Sequence, residues 1–495
     1  MKGPFSRWVR AWFVVGASIC SAQYAEAAVT HWDAKDGVVL AIDTTDGHSI
    51  AGWTRTQVTQ GWRFTRRIDR STAAEGRSYP GVVNTGNAVV VDIRAFQFPG
   101  ASEQDWCAQV AAKSPFAGCA IRAGFLVLTR SPLSDRRPIF SGPEFDAAFS
   151  KRVRAAVSGA ANFYAMRMGG NRDYFVVLYA LPGGSASDCD SVGGTLPGLL
   201  LLGISRGCAA PGPLSSAMDH FFAHETFHLW NHPLAPLAAK DPVAMMFLEG
   251  GANFAADLRE NAARGRRAFR DRVSDAIYEC TNYDTGSRPA LAMQIAAEPR
   301  IAYSCGTALM FGLSGGRAGR YFAMMRSVIA ENVGTDLAMR LHDVVTRPDT
   351  VLLWEGFQEA GQWLGDFQKV IAIAGYRLDT ESEPSGSQAL GVAVDVIKDV
   401  LRNDCHGSYG LYTDAHPRID PALRGCEQVR PGLHPQALAG FDLFSASMSA
   451  RKAWLEACRT GKAVRMTYAE GLGSEVKCAQ AQLTAVPVVQ LVGPT

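Results

Sequence analysis

The chain has 495 residues, 47% of them hydrophobic and 19% charged, with a formal net charge of +2. That balance excludes a disordered chain, and with no basic stripe it argues against a nucleic-acid partner. The length exceeds one ordinary core and predicts a multidomain protein of two to four domains.

The first 27 residues read as an export signal. Lys2, Arg7 and Arg10 form a positive start, Ala11 to Ala22 is a short apolar run, and Ala25-Glu26-Ala27 is an A-x-A-like cleavage site. The alternative is a buried N-terminal helix. Ile19 before Cys20 does not suit lipidation. No later apolar run approaches the roughly 20 residues that span a membrane, so no integral membrane segment is expected after signal removal. The other ten cysteines are Cys107, Cys119, Cys189, Cys208, Cys280, Cys305, Cys405, Cys426, Cys458 and Cys478. An even number in an exported chain favours disulfides. Sequence does not dictate connectivity, and nearest-neighbour pairing is the expectation. The compartment expected is the periplasm or the exterior.

Residues 28–150 read as a β-rich N-terminal domain, with short β-type runs at Val38 to Ile42, Ala88 to Ile93 and Gly124 to Leu128 between turn-forming clusters. From 151 to 300 the pattern changes. Phe149 to Met168 has helical spacing, Tyr174 to Tyr179 reads as a strand, and Leu196 to Leu202 as another. Pro213 and Ser215 or Ser216 mark a helix start, and that helix should stop near Asn231-His232-Pro233. A second helix is expected from about Pro242 to Ala263. Residues 301–380 read as helical, interrupted by glycines between Gly312 and Gly319. Thr380 to Ser387 is polar and turn-rich, a linker into a small C-terminal domain, 388–495. That domain contains Val392 to Val396, Tyr409 to Tyr412, a helix around Ser449 to Arg459 and a late strand at Ala463 to Tyr468.

The chemistry concentrates in His224-Glu225-Thr226-Phe227-His228, followed after twenty residues by Glu249-Gly250. Histidines four apart share a helix face and can converge on one metal ion. Glu225 can reach a metal-bound water as general base. Glu249 can supply a third ligand and leave the fourth zinc position open, one Zn²⁺ per chain. His220, His224, His228 and His232 recur every fourth residue, but only the middle pair has a carboxylate right after its first member. Phe221 and Leu229 occupy that place in the outer pairs, so His220 and His232 read as capping, supporting or surface residues.

These stretches resemble a known family. His224 to Asn231 looks like the H-E-x-F-H-x-W-N helix of the glycyl aminopeptidase family of zinc peptidases, gluzincins related to the alanyl aminopeptidases. Phe247 to Phe254 is similar to that family's W-x-x-E-G-x-x-x-Y segment. Ala302 to Leu309 resembles its Y-x-K-G-x-x-L segment, which makes Tyr303 the implied donor to the tetrahedral oxyanion. The resemblance implies a thermolysin-like catalytic domain, a helical domain and peptide hydrolysis. It also implies a C-terminal PDZ-like domain, with Ser408-Tyr409-Gly410-Leu411 as the carboxylate loop and Gly461 to Gly471 as a closing hairpin; an unrelated small β domain is the alternative there.

The chain departs from the family at three points. The spacing from His228 to Glu249 is shorter, Cys305 replaces the lysine, and Gly193-Gly194-Thr195-Leu196 lacks the glutamate that grips a free amine. Two rivals stand beside the peptidase reading. Gly203-Ile204-Ser205-Arg206-Gly207 matches a serine nucleophile elbow, although Cys208 to Pro213 is a poor helix start. The other is an inactive peptidase-like scaffold that binds peptides. The expectation is an α+β exported zinc metallopeptidase acting on a peptide or protein substrate through His224, His228, Glu249, Glu225 and Tyr303.

Overall fold

The structure is a computed structural model. It describes residues 26–33, 37–44, 54–59, 61–69, 82–84, 88–92, 117–122, 124–130, 132–133, 137–142, 144–181, 189–209, 211–283, 290–330, 363–379, 382–384, 386–408, 410–412, 417–480 and 490–493. Most of the expected signal and the helical reading of 337–362 lie outside these residues. The chain is multidomain α+β and divides into two compact units, Met1–Pro143 with Val177–Tyr179, and Glu144–Val176 with Ala180–Thr495.

The first unit is antiparallel β. Strands β1 (Glu26–Asp33), β2 (Gly37–Thr44), β3 (Thr54–Val58) and β4 (Gly61–Asp69) form a sheet in the order β1-β2-β4-β3. A second sheet runs β5-β6-β8-β7, from β5 (Val82–Asn84), β6 (Ala88–Asp92), β7 (Gly118–Arg122) and β8 (Phe125–Thr129). Ala88 to Val91 and Phe125 to Leu128 are buried without alternation. A continuous apolar run of that length is what a central strand covered on both faces requires. β9 (Ile139–Ser141) is a short further strand.

The second unit carries the expected chemistry. Helix α1 (Ala147–Met168) starts at Asp146, whose Oδ1 accepts the Phe149 N–H at 2.5 Å. The strand expected at Tyr174 to Tyr179 is β10 (Phe175–Ala180). The run Leu196 to Leu202, expected as one strand, is divided near its start: Leu196 ends β11 (Ser191–Leu196), and Leu199 to Leu202 open β12 (Leu199–Ile204), with Leu196 opposite Leu199 and Ser191 opposite Ile204 in a hairpin. Pro197-Gly198 is the reason: proline presets the first turn position, and Gly198 takes the positive φ, 74°, that the second demands.

Helix α2 (Ser216–Asn231) bears the H-E-x-x-H motif and is N-capped by Ser215, whose Oγ accepts the Met218 N–H at 3.2 Å. From Phe222 to Asn231 every residue is buried. The second expected helix forms from Pro242 onward but in three pieces: Pro242–Met245, a π-helical turn Met246–Gly250, and α3 (Gly251–Arg264). Next come α4 (Arg266–Tyr283), α5 (Leu291–Ala297), α6 (Ile301–Ser314) and α7 (Ala318–Ala330). The glycine-rich interruption falls between α6 and α7, where Gly315, at φ 58°, caps α6 in the left-handed conformation. Tyr164 of α1 meets Phe227 and Trp230 of α2 edge to face, and Phe227 meets Phe322 of α7 edge to face and Tyr321 of α7 at a tilt; the Tyr164 and Phe227 centroids are 5.0 Å apart. This aromatic core sets the rotation of α2 and so the direction its histidines take.

α8 (Trp363–Ile373) precedes β13 (Arg377–Asp379), which pairs with the last strand of the chain, Gln490–Val492. α9 (Gly386–Asp404) contains both the end of the expected linker and the Val392 to Val396 run. Ala389, Val392, Ala393, Val396, Ile397, Val400 and Leu401 are all buried at helical spacing, so the β-branched residues form a helix stripe. That stripe packs with Trp454 of α10 (Ser447–Thr460) and with Met466, Tyr468 and Val476 in one core. The late strand Ala463–Tyr468 pairs with Gly473–Lys477. Tyr409 of the expected carboxylate loop lies outside the described residues, while Leu411–Tyr412 pairs with Arg418–Ile419.

Four disulfides follow the nearest-neighbour pattern: Cys189–Cys208, Cys280–Cys305, Cys405–Cys426 and Cys458–Cys478. The expected Cys107–Cys119 pair lies outside, because Cys107 is not described.

Candidate active site

The site is assembled on four elements of the second unit. α2 presents His224, Glu225 and His228. The π-helical turn presents Glu249, as such one-residue expansions of a helix frequently do at functional positions. α6 presents Tyr303, and β11 passes beside Glu225.

His224 Nε2 and His228 Nε2 stand 3.0 Å apart, and Glu249 Oε2 lies 3.3 Å from the first and 3.5 Å from the second. The histidines are only 5% and 7% exposed, which rules out an amphipathic surface helix carrying solvated histidines. The far side of each ring is held. His224 Nδ1 is 2.7 Å from Asn253 Oδ1, and His228 Nδ1 is 2.9 Å from Asn231 Oδ1. Asn231 donates its Nδ2 to the Leu248 carbonyl at 2.8 Å. That bond orients its amide, so its oxygen faces His228 and Nδ1 there must be the donor. In its neutral form the His228 ring then turns its Nε2 lone pair inward. Two ring nitrogens and a carboxylate oxygen thus converge in one buried place, an arrangement that suits a cation.

The titration behaviour agrees. Burial alone would lower the His228 pKa, but the charge and hydrogen bond of Glu249 outweigh it and push it up to about 9. Burial alone would raise Glu249, and the two imidazoles instead hold it well below the usual carboxylate range. With no metal bound, the proton on His228 is the positive partner of that buried carboxylate, the place a metal cation would take. Two nitrogens and one oxygen, with carboxamides orienting the rings, suit zinc in an open three-ligand site.

Tyr303 stacks on His224, with ring centroids 5.7 Å apart and planes 16° from parallel. It is 38% exposed, yet its phenol pKa is driven far up by burial first, then by the charge of Glu249, a hydrogen bond to Glu249 and the charge of Glu225. It therefore stays protonated and able to donate. A cavity of about 220 Å³ opens beside it, lined by Asn253, His220, Asp257, Asp275 and Glu279 among others. A larger one, about 520 Å³, among Pro417, His434, Pro435 and Phe444, contains none of the expected site residues.

The outer histidines stand apart from the cluster. His220 Nε2 is 3.0 Å from Asp257 Oδ1. His232 caps α2, its N–H bonded to the His228 carbonyl, and burial followed by the charge of His228 lowers its pKa. Ser205 is 1% exposed, its Oγ accepts the Asp190 N–H at 2.8 Å, and a short 3-10 turn, Arg206–Ala209, follows it. A nucleophile elbow needs an exposed hydroxyl at the head of a helix, and Ser205 offers neither. Among the described residues one other cluster has metal-ligand spacing, Asp404 with Cys405 and Cys426. There the cysteines form a disulfide, and Asp404 accepts the N–H groups of Gln428 and Val429.

Three contributors escaped the sequence reading: Asn231, Asn253 and Thr195. Asn231 lies three residues after His228, a spacing that places it beside that ring on the helix, whereas Asn253, on α3, reaches His224 across twenty-nine residues. Thr195 Oγ1 lies 3.0 Å from Glu225 Oε2, a contact across thirty residues that no local spacing announces.

No protein-family model matches the chain, and no curated protein matches it. Among solved structures, the aminopeptidase N family protein from Idiomarina loihiensis aligns over 95% of this chain and 98% of its own, at 11% identity and a TM-score of 0.46. Yeast LTA4 hydrolase in complex with bestatin aligns over 76% of this chain and 72% of its own, at 11% identity and a TM-score of 0.36. Native yeast LTA4 hydrolase aligns over the same shares at 12% identity and a TM-score of 0.34.

Proposed function

We propose that the chain is an exported zinc metallopeptidase. The observation that carries this is the buried convergence of His224 Nε2, His228 Nε2 and Glu249 Oε2, with both Nδ1 atoms tied to asparagine oxygens. Zinc held by those three residues would supply Lewis acidity at the scissile carbonyl and a water that is nucleophilic near neutral pH. Glu225 takes the proton from the attacking water and passes it to the leaving amine. Tyr303, kept protonated by its surroundings, donates to the carbonyl oxygen as negative charge develops there.

Leu196 stands where the resembling family has its amine-gripping glutamate. Peptides with free and blocked N-termini are therefore expected to be cleaved alike. The disulfides support an oxidising compartment, in keeping with the N-terminal signature. Among the described residues no helix is long and apolar enough to cross a membrane.

The test is a peptide-library digest, free and blocked, by the chain and by Glu225→Gln. The variant should keep its metal and lose nearly all hydrolysis. Full activity in Glu225→Gln removes Glu225 as the base, and a strict requirement for a free N-terminus overturns the specificity reading.

A further inference from the structure

The two carboxylate oxygens of Glu225 have different surroundings. Oε1 lies 3.9 Å from His224 Nε2, on the side where the ligand atoms converge. Oε2 faces the other way, 3.0 Å from the hydroxyl of Thr195. That hydroxyl is also 2.9 Å from the backbone carbonyl of Glu225, and it has one hydrogen to give. The carbonyl sits inside α2, where the N–H four residues on already serves it. A carboxylate oxygen is a stronger acceptor than an amide carbonyl that already has a partner. The hydrogen therefore belongs on Oε2.

Gly193 completes the seat. A Cβ at that position would lie 1.9 Å from Glu225 Cδ and 2.0 Å from Oε1, so any side chain there would occupy the place of the carboxylate. Residues 193 and 195 are two apart on β11 and project to one face. β11 is the edge strand of its sheet and pairs with β12. Its glycine and its threonine thus do complementary things to one side chain: the first leaves room, the second grips.

We propose that Thr195 is a positioning residue for the general base. It ties down Oε2 so that Oε1 is presented to the reacting water, and Gly193 provides the space in which the carboxylate turns that way. The proposal rests on the peptidase reading of the site, in which Glu225 is the base. It assigns to the Gly193-Gly194-Thr195 segment a task in this chain: holding the base from the side opposite the metal ligands.

The experiment compares Thr195→Val, which keeps the shape and removes the hydroxyl, with Thr195→Ser, which keeps the hydroxyl. Kinetics, zinc content and crystal structures are read for both and for the unmodified chain. Thr195→Val should keep its zinc and its KM while kcat falls roughly ten- to a hundred-fold, the scale of a misplaced catalytic group. Thr195→Ser should restore most of that loss. In the crystal, the Glu225 carboxylate of Thr195→Val should have swung away from residue 195, while in Thr195→Ser it stays. An unmoved carboxylate in Thr195→Val, or a serine variant as slow as the valine one, overturns the proposal. If the unmodified chain hydrolyses no peptide, the peptidase reading fails by itself, and the carboxylate position still decides whether Thr195 holds it. Gly193→Ala covers the case of a valine variant that does not fold: it should displace the same carboxylate, and an undisturbed Glu225 there contradicts the seat.

Discussion

Gly250 and Gly306 meet backbone to backbone. A Cβ on Gly250 would lie 2.3 Å from Gly306 Cα, and one on Gly306 would lie 2.5 Å from the Met246 carbonyl oxygen. This contact joins the π-helical turn that carries Glu249 to the helix that carries Tyr303, so it sets how closely the third candidate ligand and the phenol approach. Neither backbone can yield cheaply. Gly306→Ala is expected to destabilise the fold by about 1–3 kcal/mol, in the range of an overpacked core, visible as a lowered thermal midpoint. An unchanged midpoint would mean that the two segments separate freely.

Tyr303 touches the site through its ring, stacked on His224, and through its phenol, which faces carboxylates. Tyr303→Phe keeps the stack and removes the donor. Turnover should fall roughly ten- to a thousand-fold, the range for losing one oxyanion donor, with zinc content unchanged. An unaffected rate would return Tyr303 to a packing role.

Asn231 holds two things at once, the Nδ1 of His228 and the carbonyl of Leu248 next to Glu249. Asn231→Leu should weaken zinc binding about 10- to 100-fold, the usual cost of losing a partner that orients a ligand. Competition against a chelator reads this directly, and wild-type affinity would show that the ring needs no such support.

Metal uptake should depend on pH in a stated direction. Without metal, His228 holds a proton up to about pH 9, because the pull of Glu249 outweighs burial. Zinc must displace that proton, so apparent affinity should rise by about ten-fold per pH unit below that value and level off above it. Affinity that is flat between about pH 7 and 9 would mean that no proton is displaced from the site.

The candidate ligand set was legible because helix geometry turns sequence spacing into proximity: histidines four positions apart, and a glutamate right after the first. The helix start at Ser215 was legible from its cap, whereas the Asp146 cap of α1 emerged only in the structure. What could not be read was contact across the chain. Thr195 meets Glu225 only because Pro197-Gly198 folds a run of leucines into a hairpin, and that run looked like one strand. The Val392 to Val396 run does not by itself specify an element, because its β-branched residues compete with a wider pattern, Ala389 to Leu401, that has helical spacing throughout. α4 hid behind charge: Phe269, Val273, Ala276, Ile277 and Cys280 line its buried side, but four arginines lie among or beside them in the α4 segment. The asparagines stood inside the motifs, yet an amide's role depends on which atom it faces, and for Asn231 that is settled only by Leu248.

The central claim is that His224, His228 and Glu249 bind a metal ion. Its most direct measurement is the zinc content of the purified, folded chain by mass spectrometry of the elements, alongside His228→Ala. The account predicts about one zinc per chain and a near-complete loss in the variant. Folded chain that takes up no zinc, or a variant that binds as much as the unmodified protein, would contradict it.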